Sequence, residues 1–219
     1  MQRCKLLTIL FIVVNFTVTH GQSAKIDSIN AMLDSVYQTD QNIRFELMDF
    51  QKEGDMQSDA FNDLVSKVQK TDSVNVQKIK ALLNNNGWPE NLNEQGNQTI
   101  FLVIQHADLD IQQEYLPLVR KAVKEGKVLL SGLALLEDRV ASREGRKQTY
   151  GSQVYIDPKT GKKYVLPLKD PETVDQRRVA VGLPPMSEYS KLMQMEWSLE
   201  RYYQDLPEIE ALLKNMTNN

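Results

Sequence analysis

His106 is the residue of this chain best suited to proton transfer. The sequence contains two histidines, and the other one, His20, falls within a predicted leader. His106 follows the apolar run at residues 100–104 and begins the short sequence His-Ala-Asp at 106–108. An imidazole titrates near neutrality, so it can act as a general acid or base, and a nearby carboxylate can fix its tautomer. The sequence therefore predicts a proton-transfer site at His106.

The carboxylate that would orient His106 is left open by the sequence. Asp108 is two residues away, and side chains at that spacing diverge on a helix. Asp40 and Asp138 are alternatives that would reach the ring across the fold. We therefore take His106, Asp108, Asp40 and Asp138 as candidate catalytic residues. The alternative is a structural histidine that is hydrogen-bonded in the core.

Several arginines follow apolar helical segments and are suited to binding negative charge. Arg44 lies one turn after Asp40, and Arg139 directly follows Asp138. Arg177 and Arg178 form a pair in a short predicted helix. A guanidinium can hold a carboxylate or phosphate through two parallel hydrogen bonds. The alternatives are an internal ion pair or a solvated surface, neither of which implies function.

A polar segment at residues 148–153 has the composition of a ligand-contacting loop. Gln148, Tyr150 and Gln153 supply amide and phenol groups, and Gly151 lets the backbone come close to a ligand. Gln105, beside His106, adds another amide. These residues are candidates for binding a small polar or anionic ligand. The alternative is a polar entry into a β-hairpin.

Several classes of site find little support in the sequence. One histidine outside the leader, with no cysteine there, leaves only oxygen-rich metal sites, and the acidic spacing at 108–110 does not fit a calcium loop. There is no Gly-x-Ser-x-Gly elbow and no glycine-rich phosphate loop. We therefore expect no metal and no cofactor. No long basic run is present, so nucleic acid is not an expected partner.

The N-terminus resembles a secretory leader, which we place at residues 1–21. Arg3 and Lys5 precede an apolar core at 6–14, and small residues follow near a plausible cleavage point. The expected location is periplasmic or extracellular, without membrane insertion after cleavage; an uncleaved anchor is the alternative. The single cysteine, Cys4, lies in this leader, so disulfides are not expected in the remaining chain.

Apolar periodicity predicts a mainly α fold, with one domain over residues 22–219. Residues 26–50 form a helical seam that Asp40 interrupts. Asp40 is therefore buried with a partner or faces a cavity, or else it marks where the helix leaves the core. Asp72 is expected to cap the start of a new helix. Residues 99–108 fit a strand or a buried helix, and we favour the helix. Turn residues at 157–161 predict a small β-hairpin near 153–167.

The chain resembles a bacterial family of uncharacterised proteins, the domain of unknown function numbered 6624. The resemblance covers most of residues 25–190, with one departure at Ser152, where threonine is expected. The resemblance implies no established activity. It does imply that the polar residues of the motifs form one recurring set. Gln41 belongs to that set, so it is added to the ligand-binding candidates. The residues that carry it are Asp40, Gln41 and Arg44; Gly87, Trp88 and Pro89; Gln105 to Asp108; Asp138 to Val140; Gln148, Tyr150, Gly151, Ser152 and Gln153; Arg177, Arg178, Gly182 and Leu183.

The leading functional hypothesis is an exported enzyme that acts on a small polar or anionic substrate. General acid/base chemistry at His106 favours a hydrolytic or proton-transfer reaction. His106 is expected to share one pocket with Asp40, Arg44, Asp138, Arg139 and Tyr150. One alternative is a non-catalytic module that binds a ligand or partner in the same pocket. The other is a buried polar network that fixes the positions of the helices.

Overall fold

The computed structural model describes residues 3–53, 57–157 and 160–217. Within these ranges the chain forms eight α-helices and one two-stranded β-hairpin, so the predicted mainly α fold class is confirmed. The chain divides into two compact units, Met1–His106 and Ala107–Asn219. Each unit has its own buried apolar residues. The expectation of one domain over 22–219 stays a prediction.

The first unit consists of three helices, in which α1 (Arg3–Glu53) packs against α2 (Asp59–Asn86) and α3 (Glu94–His106). Apolar residues of all three helices are buried in it, because their spacing places them on the facing sides. These are Leu33, Val36, Leu64, Ile79, Leu82, Leu83, Ile100, Phe101, Val103 and Ile104.

Helix α2 is one continuous helix, so the prediction that Asp72 caps a new helix is wrong. Its N-cap is Ser58, whose hydroxyl accepts a hydrogen bond from the backbone N–H of Phe61 at 3.2 Å. Leu64 and Ile79, on either side of Asp72 in the sequence, are both buried. The helix therefore keeps a core-facing side through the segment where a break was expected, and Asp72 lies in its interior.

Residues 99–106 are helical, which confirms the favoured interpretation of that segment. Helix α3 approaches α1 closely at Gly96. A Cβ at this position would lie 3.0 Å from Asn30 Oδ1 and 3.2 Å from Leu33 Cδ1. The absence of a side chain at Gly96 therefore allows the two helices to come together, with His106 in the last turn of α3.

The second unit combines helices with the hairpin. It contains α4 (Leu109–Lys124), α5 (Leu130–Arg143), β1 (Val154–Ile156), β2 (Lys163–Val165), a 3₁₀ turn at Pro171–Thr173, α6 (Val174–Ala180), α7 (Met186–Leu192) and α8 (Leu199–Thr217). The strands are antiparallel, with Val154 opposite Val165 and Ile156 opposite Lys163. The predicted hairpin is thus confirmed. Pro158 and Lys159 of its predicted turn lie outside the described residues.

The second unit has a core in which the hairpin, the segment after it and α8 meet. Its buried residues include Tyr164, Val165, Leu166, Met186 and Ile209. Tyr202 of α8 also anchors the backbone, because its hydroxyl accepts a hydrogen bond from the N–H of Leu168 at 2.7 Å. This core supports the loop that precedes β1, which carries several of the predicted site residues.

The predicted leader overlaps the start of α1. Residues 1 and 2 lie outside the described residues, and the backbone is helical from Arg3. Across the described residues, no helix has the combination of length and apolarity needed to cross a membrane. Cleavage of the leader stays a prediction.

Candidate functional site

Asp40 is buried in the first unit, although it carries a carboxylate. It occupies a core-facing position of α1 and is only 1% exposed. Burial of Asp40 with partners is therefore confirmed, and the alternative that the helix leaves the core at Asp40 is wrong. A buried carboxylate is costly unless it is paired and hydrogen-bonded. The contacts of Asp40 show how this cost is met.

The partners of Asp40 come from its own helix and from the end of α3. Its Oδ1 lies 3.1 Å from His106 Nδ1, and its Oδ2 accepts a hydrogen bond from Gln41 Nε2 at 2.7 Å. Arg44, one turn later, places Nη2 3.7 Å from Asp40 Oδ1 and Nε 2.9 Å from His106 Nδ1. Asp40, Gln41, Arg44 and His106, all predicted site residues, thus lie together in the first unit.

Asp72 completes the charges around Arg44, and the sequence did not identify it as a site residue. Its Oδ1 accepts a hydrogen bond from Arg44 Nη2 at 2.8 Å. Its side chain is 20% exposed, whereas that of Asp40 is 2% exposed. The guanidinium therefore lies between a buried carboxylate on α1 and a more accessible one on α2. We call Asp40, Arg44, Asp72 and His106 the histidine cluster.

A second polar contact joins α1 to α2 beside the histidine cluster. Thr39 Oγ1 lies 3.3 Å from Asn75 Oδ1, and Asn75 is 1% exposed. Within the described residues, neither Asn75 Nδ2 nor Arg44 Nη1 has a hydrogen-bond partner, although both atoms are buried. An unsatisfied buried donor costs free energy that an incoming acceptor can recover. Both side chains are therefore suited to receive an oxygen atom.

The two carboxylates of the histidine cluster have pKa values shifted in opposite directions. Burial raises the pKa of Asp40, but hydrogen bonds and charge from His106, Arg44 and Gln41 outweigh it, so the net pKa is lowered. Burial also raises the pKa of Asp72, and there the opposing charge of Arg44 is not sufficient, so the net pKa is raised. Asp40 is accordingly held as the anion. Asp72 takes up a proton more readily than an ordinary aspartate.

The lowered pKa of Asp40 predicts a pH-dependent effect of Asp40→Asn. The carboxylate stabilises the fold above its ordinary pKa of 3.8, and that contribution is lost as the pH falls through the lower folded value. The substitution should reduce the free energy of unfolding by about 1 to 3 kcal/mol near neutrality. The difference from wild type should shrink in acid, where protonated Asp40 resembles asparagine.

Urea unfolding of both proteins at about pH 7 and about pH 3 measures this difference. Asp27→Asn, at an exposed position of the same helix, is the matched control and should have little effect at either pH. A difference between Asp40→Asn and wild type that is equal at both pH values would contradict the assigned role of the carboxylate.

In the second unit, Asp138 holds the loop at residues 148–153. Its carboxylate accepts hydrogen bonds from the backbone N–H groups of Thr149 at 2.6 Å, Tyr150 at 3.0 Å and Ser152 at 3.0 Å. The Ser152 hydroxyl donates to the same carboxylate at 3.0 Å. Asp138 is 1% exposed, so these bonds form away from solvent. They identify Asp138 as the group that fixes the loop.

Three further predicted site residues, Arg177, Arg178 and Gln148, also bind the loop. Arg177 donates to the carbonyl oxygen of Thr149 at 2.7 Å, and Arg178 donates to that of Tyr150 at 2.7 Å. Gln148 donates to the Gln153 carbonyl at 3.0 Å and accepts from the Gln153 N–H at 2.8 Å. In these contacts the side chains support the structure of the loop. Ligand binding by them stays a prediction.

Gly151 is needed for the shape of this loop. Its φ of +70° lies in the left-handed region, and an added Cβ would be 3.1 Å from Met186 Sδ. The neighbouring Tyr150 phenol has its pKa raised by burial and by the charges of Glu137 and Asp138. At neutral pH this phenol is therefore protonated and remains a hydrogen-bond donor.

A family model described as a family of unknown function (DUF6624) matches residues 28–201. The chain belongs to this family. The resemblance seen in the sequence motifs is thus confirmed at the level of the family. No curated protein and no solved structure matched the chain.

The DUF6624 match contains every predicted site residue of both units. The structure places Gln105 in the buried part of α3, Arg139 in α5, and Asp108 at the exposed N-cap of α4. Asp40 is the carboxylate whose contact with the His106 ring is observed. The expected single pocket would draw on residues of both units, so it stays a prediction.

Sequence reasoning missed three residues of this DUF6624 chain: Asp72, Asn75 and Thr39. All three join α1 and α2. Their signal in the sequence is limited to helical spacing, since Asp72 and Asn75 lie three residues apart on one side of α2.

Among the described residues, no group of three or more potential ligands is arranged to hold a metal ion.

Proposed function

We propose that this DUF6624 protein is an exported enzyme that acts on a small polar or anionic substrate by general acid/base chemistry at His106. The reaction would be hydrolytic or another proton transfer. The observation that carries the proposal is the contact of His106 Nδ1 with Asp40 Oδ1 at 3.1 Å. A buried carboxylate at this ring nitrogen orients an imidazole for proton transfer at the other one.

The second ring nitrogen of His106 is the atom that would meet the substrate. Within the described residues, Nε2 makes no hydrogen bond, and the side chain is 18% exposed. The ring is therefore fixed on one side and accessible on the other. Arg44 adds a permanent positive charge beside it, which favours a substrate that carries or develops negative charge.

A non-catalytic binding module is the alternative, and one observation favours it. Asn75 Nδ2 and Arg44 Nη1 are buried donors without partners among the described residues. A ligand oxygen that accepts from them would stabilise the protein without any chemical step. In this case the histidine cluster would supply charge and hydrogen bonds only.

A screen for turnover and binding separates the two functions. The purified protein is offered chromogenic carboxylic esters, phosphate esters and amides, together with small cell-envelope fragments, while product formation and melting temperature are recorded. The enzyme predicts turnover of at least one class. A saturable rise in melting temperature without turnover would contradict the enzyme and support the binding module, and a protein inert in both measurements would contradict both.

Export predicts a defined N-terminus in the mature protein. The leader should be removed after about residue 21 when the protein is produced in a bacterial host, since small residues follow its apolar core. N-terminal sequencing of protein from the periplasm and the medium checks this cleavage. Full-length chain recovered in the membrane fraction would support an uncleaved anchor, and full-length chain in the cytoplasm would contradict export.

A further inference from the structure

The hydrogen bond between Arg44 and His106 points to a role for Arg44 beyond charge. We propose that Arg44 is a positioning residue that holds resting His106 in the tautomer with its proton on Nε2. The ring would then meet the substrate as a hydrogen-bond donor to an oxygen atom. This inference rests on the proposed role of His106 in proton transfer.

Two contacts of His106 Nδ1 exclude each other. Arg44 Nε always carries a proton and lies 2.9 Å from Nδ1, so it donates only if Nδ1 presents a lone pair. Asp40 Oδ1, 3.1 Å away, accepts only if Nδ1 carries a proton. A neutral imidazole has one proton to place. The geometry therefore allows two tautomers. Arg44 favours the one with a lone pair on Nδ1, and Asp40 favours the one with a proton on Nδ1.

The neighbours of Arg44 favour the tautomer with a free lone pair on Nδ1. Arg44 Nη2 is fixed by Asp72 at 2.8 Å, which holds Nε against the ring. If Nδ1 carried the proton, Arg44 Nε would lose its acceptor among the described residues. Asp40, in contrast, keeps its bond from Gln41 and its contact with Arg44 Nη2 in either tautomer. The Arg44 side chain is 18% exposed, so loss of this acceptor would leave a largely buried donor unsatisfied.

This arrangement has a consequence for the reaction. With its proton on Nε2, neutral His106 polarises a substrate carbonyl, carboxylate or phosphate oxygen and cannot accept a proton at that atom. To act as a base, the ring must carry its proton on Nδ1, where Asp40 Oδ1 accepts the hydrogen bond and Arg44 Nε has turned away. Arg44 therefore controls when His106 can remove a proton from the substrate.

The tautomer can be read directly by NMR of the full chain labelled with ¹⁵N-histidine. The chain has two histidines, so a His20→Gln variant assigns the His106 signal. At about pH 8 an ordinary imidazole is neutral, and two-bond nitrogen–proton couplings show which nitrogen carries the proton. We expect wild type to carry it on Nε2 and Arg44→Met to carry it on Nδ1, because Asp40 then has no competitor.

Arg201→Met is the matched control, since Arg201 bonds Asp205 within the second unit, and it should leave the His106 spectrum unchanged. A proton on Nδ1 in wild type, or on Nε2 in Arg44→Met, would overturn the proposal. If Arg44→Met does not fold, the wild-type spectrum alone tests the proposal. Without a competing donor, a ring beside an anionic carboxylate carries its proton on Nδ1, so a proton on Nε2 in wild type requires Arg44. The spectrum requires no turnover, so it can fail while the proposed enzyme function stands.

Discussion

Asp138→Ala is expected to lower the free energy of unfolding by roughly 3 to 5 kcal/mol. The carboxylate accepts bonds from three backbone N–H groups and one hydroxyl of the loop at 149–152. Alanine would leave these donors without their acceptor in a buried place, and each unsatisfied donor costs about 1 to 3 kcal/mol. The loop would be released, and the carbonyls held by Arg177 and Arg178 would lose their fixed positions.

Urea unfolding followed by circular dichroism measures this loss. Asp138→Asn should also be destabilising, because one acceptor oxygen becomes an amide that faces N–H donors. Asp110→Ala, at an exposed position in the first turn of α4, is the matched control and should cost less than about 1 kcal/mol. A cost for Asp138→Ala as small as that of Asp110→Ala would show that the carboxylate does not hold the loop.

The second prediction concerns activity. Once a substrate is found, His106→Gln should reduce kcat by about 10²- to 10⁴-fold, the range expected when a general acid or base is lost. Glutamine is similar in length, can donate to Asp40 and can accept from Arg44, but it cannot transfer a proton near neutrality. The binding of substrate, which we propose depends on Arg44 and its neighbours, should change less than kcat.

Initial rates over a range of substrate concentrations separate these effects. Asp27→Asn, at an exposed position of α1, is the control, and it should leave kcat unchanged. If His106→Gln retains wild-type kcat, His106 does not transfer the proton. If KM alone rises, the ring binds the substrate without taking part in the chemical step.

Asp40 shows how much of the site was visible in the sequence. A single acid in an otherwise apolar helical seam predicted either burial with a partner or an exposed turn of helix. Arg44, at the spacing of one helical turn, was available as that partner. The packing of α3 against α1 decides whether Asp40 is buried with a partner. The same packing brings His106 of α3 into contact with Asp40. Periodicity within one helix carries no information on that packing.

Asp72 was misassigned for a physical reason. Aspartate is favoured as an N-cap, and the polar residues before it resemble a break between two helices. Burial of Leu64 and Ile79 on either side keeps α2 continuous, because tertiary packing outweighs local capping preference. Asn75 was not identified, because its contact with Thr39 joins residues that lie 36 positions apart in the sequence.

In the second unit, Asp138 and the segment at 148–153 were identified as separate polar features. The structure joins them, because the chain turns after α5 and brings backbone N–H groups to the carboxylate. The sequence shows donors and acceptors, but it does not show which are already used within the fold. For this set, the observed contacts support the structural alternative. Within the described residues, the histidine cluster retains one buried Arg44 donor without a partner and a ring nitrogen that makes no hydrogen bond.

We infer that His106 serves function and does not hold the fold together. Thermal unfolding of His106→Gln beside wild type tests it most directly, since it requires no substrate. A residue kept for function can be replaced without loss of stability, and sometimes with a gain. We expect a melting temperature equal to or above that of wild type. A clear fall, comparable with that of Asp138→Ala, would contradict the claim and show that His106 is a structural residue of the core.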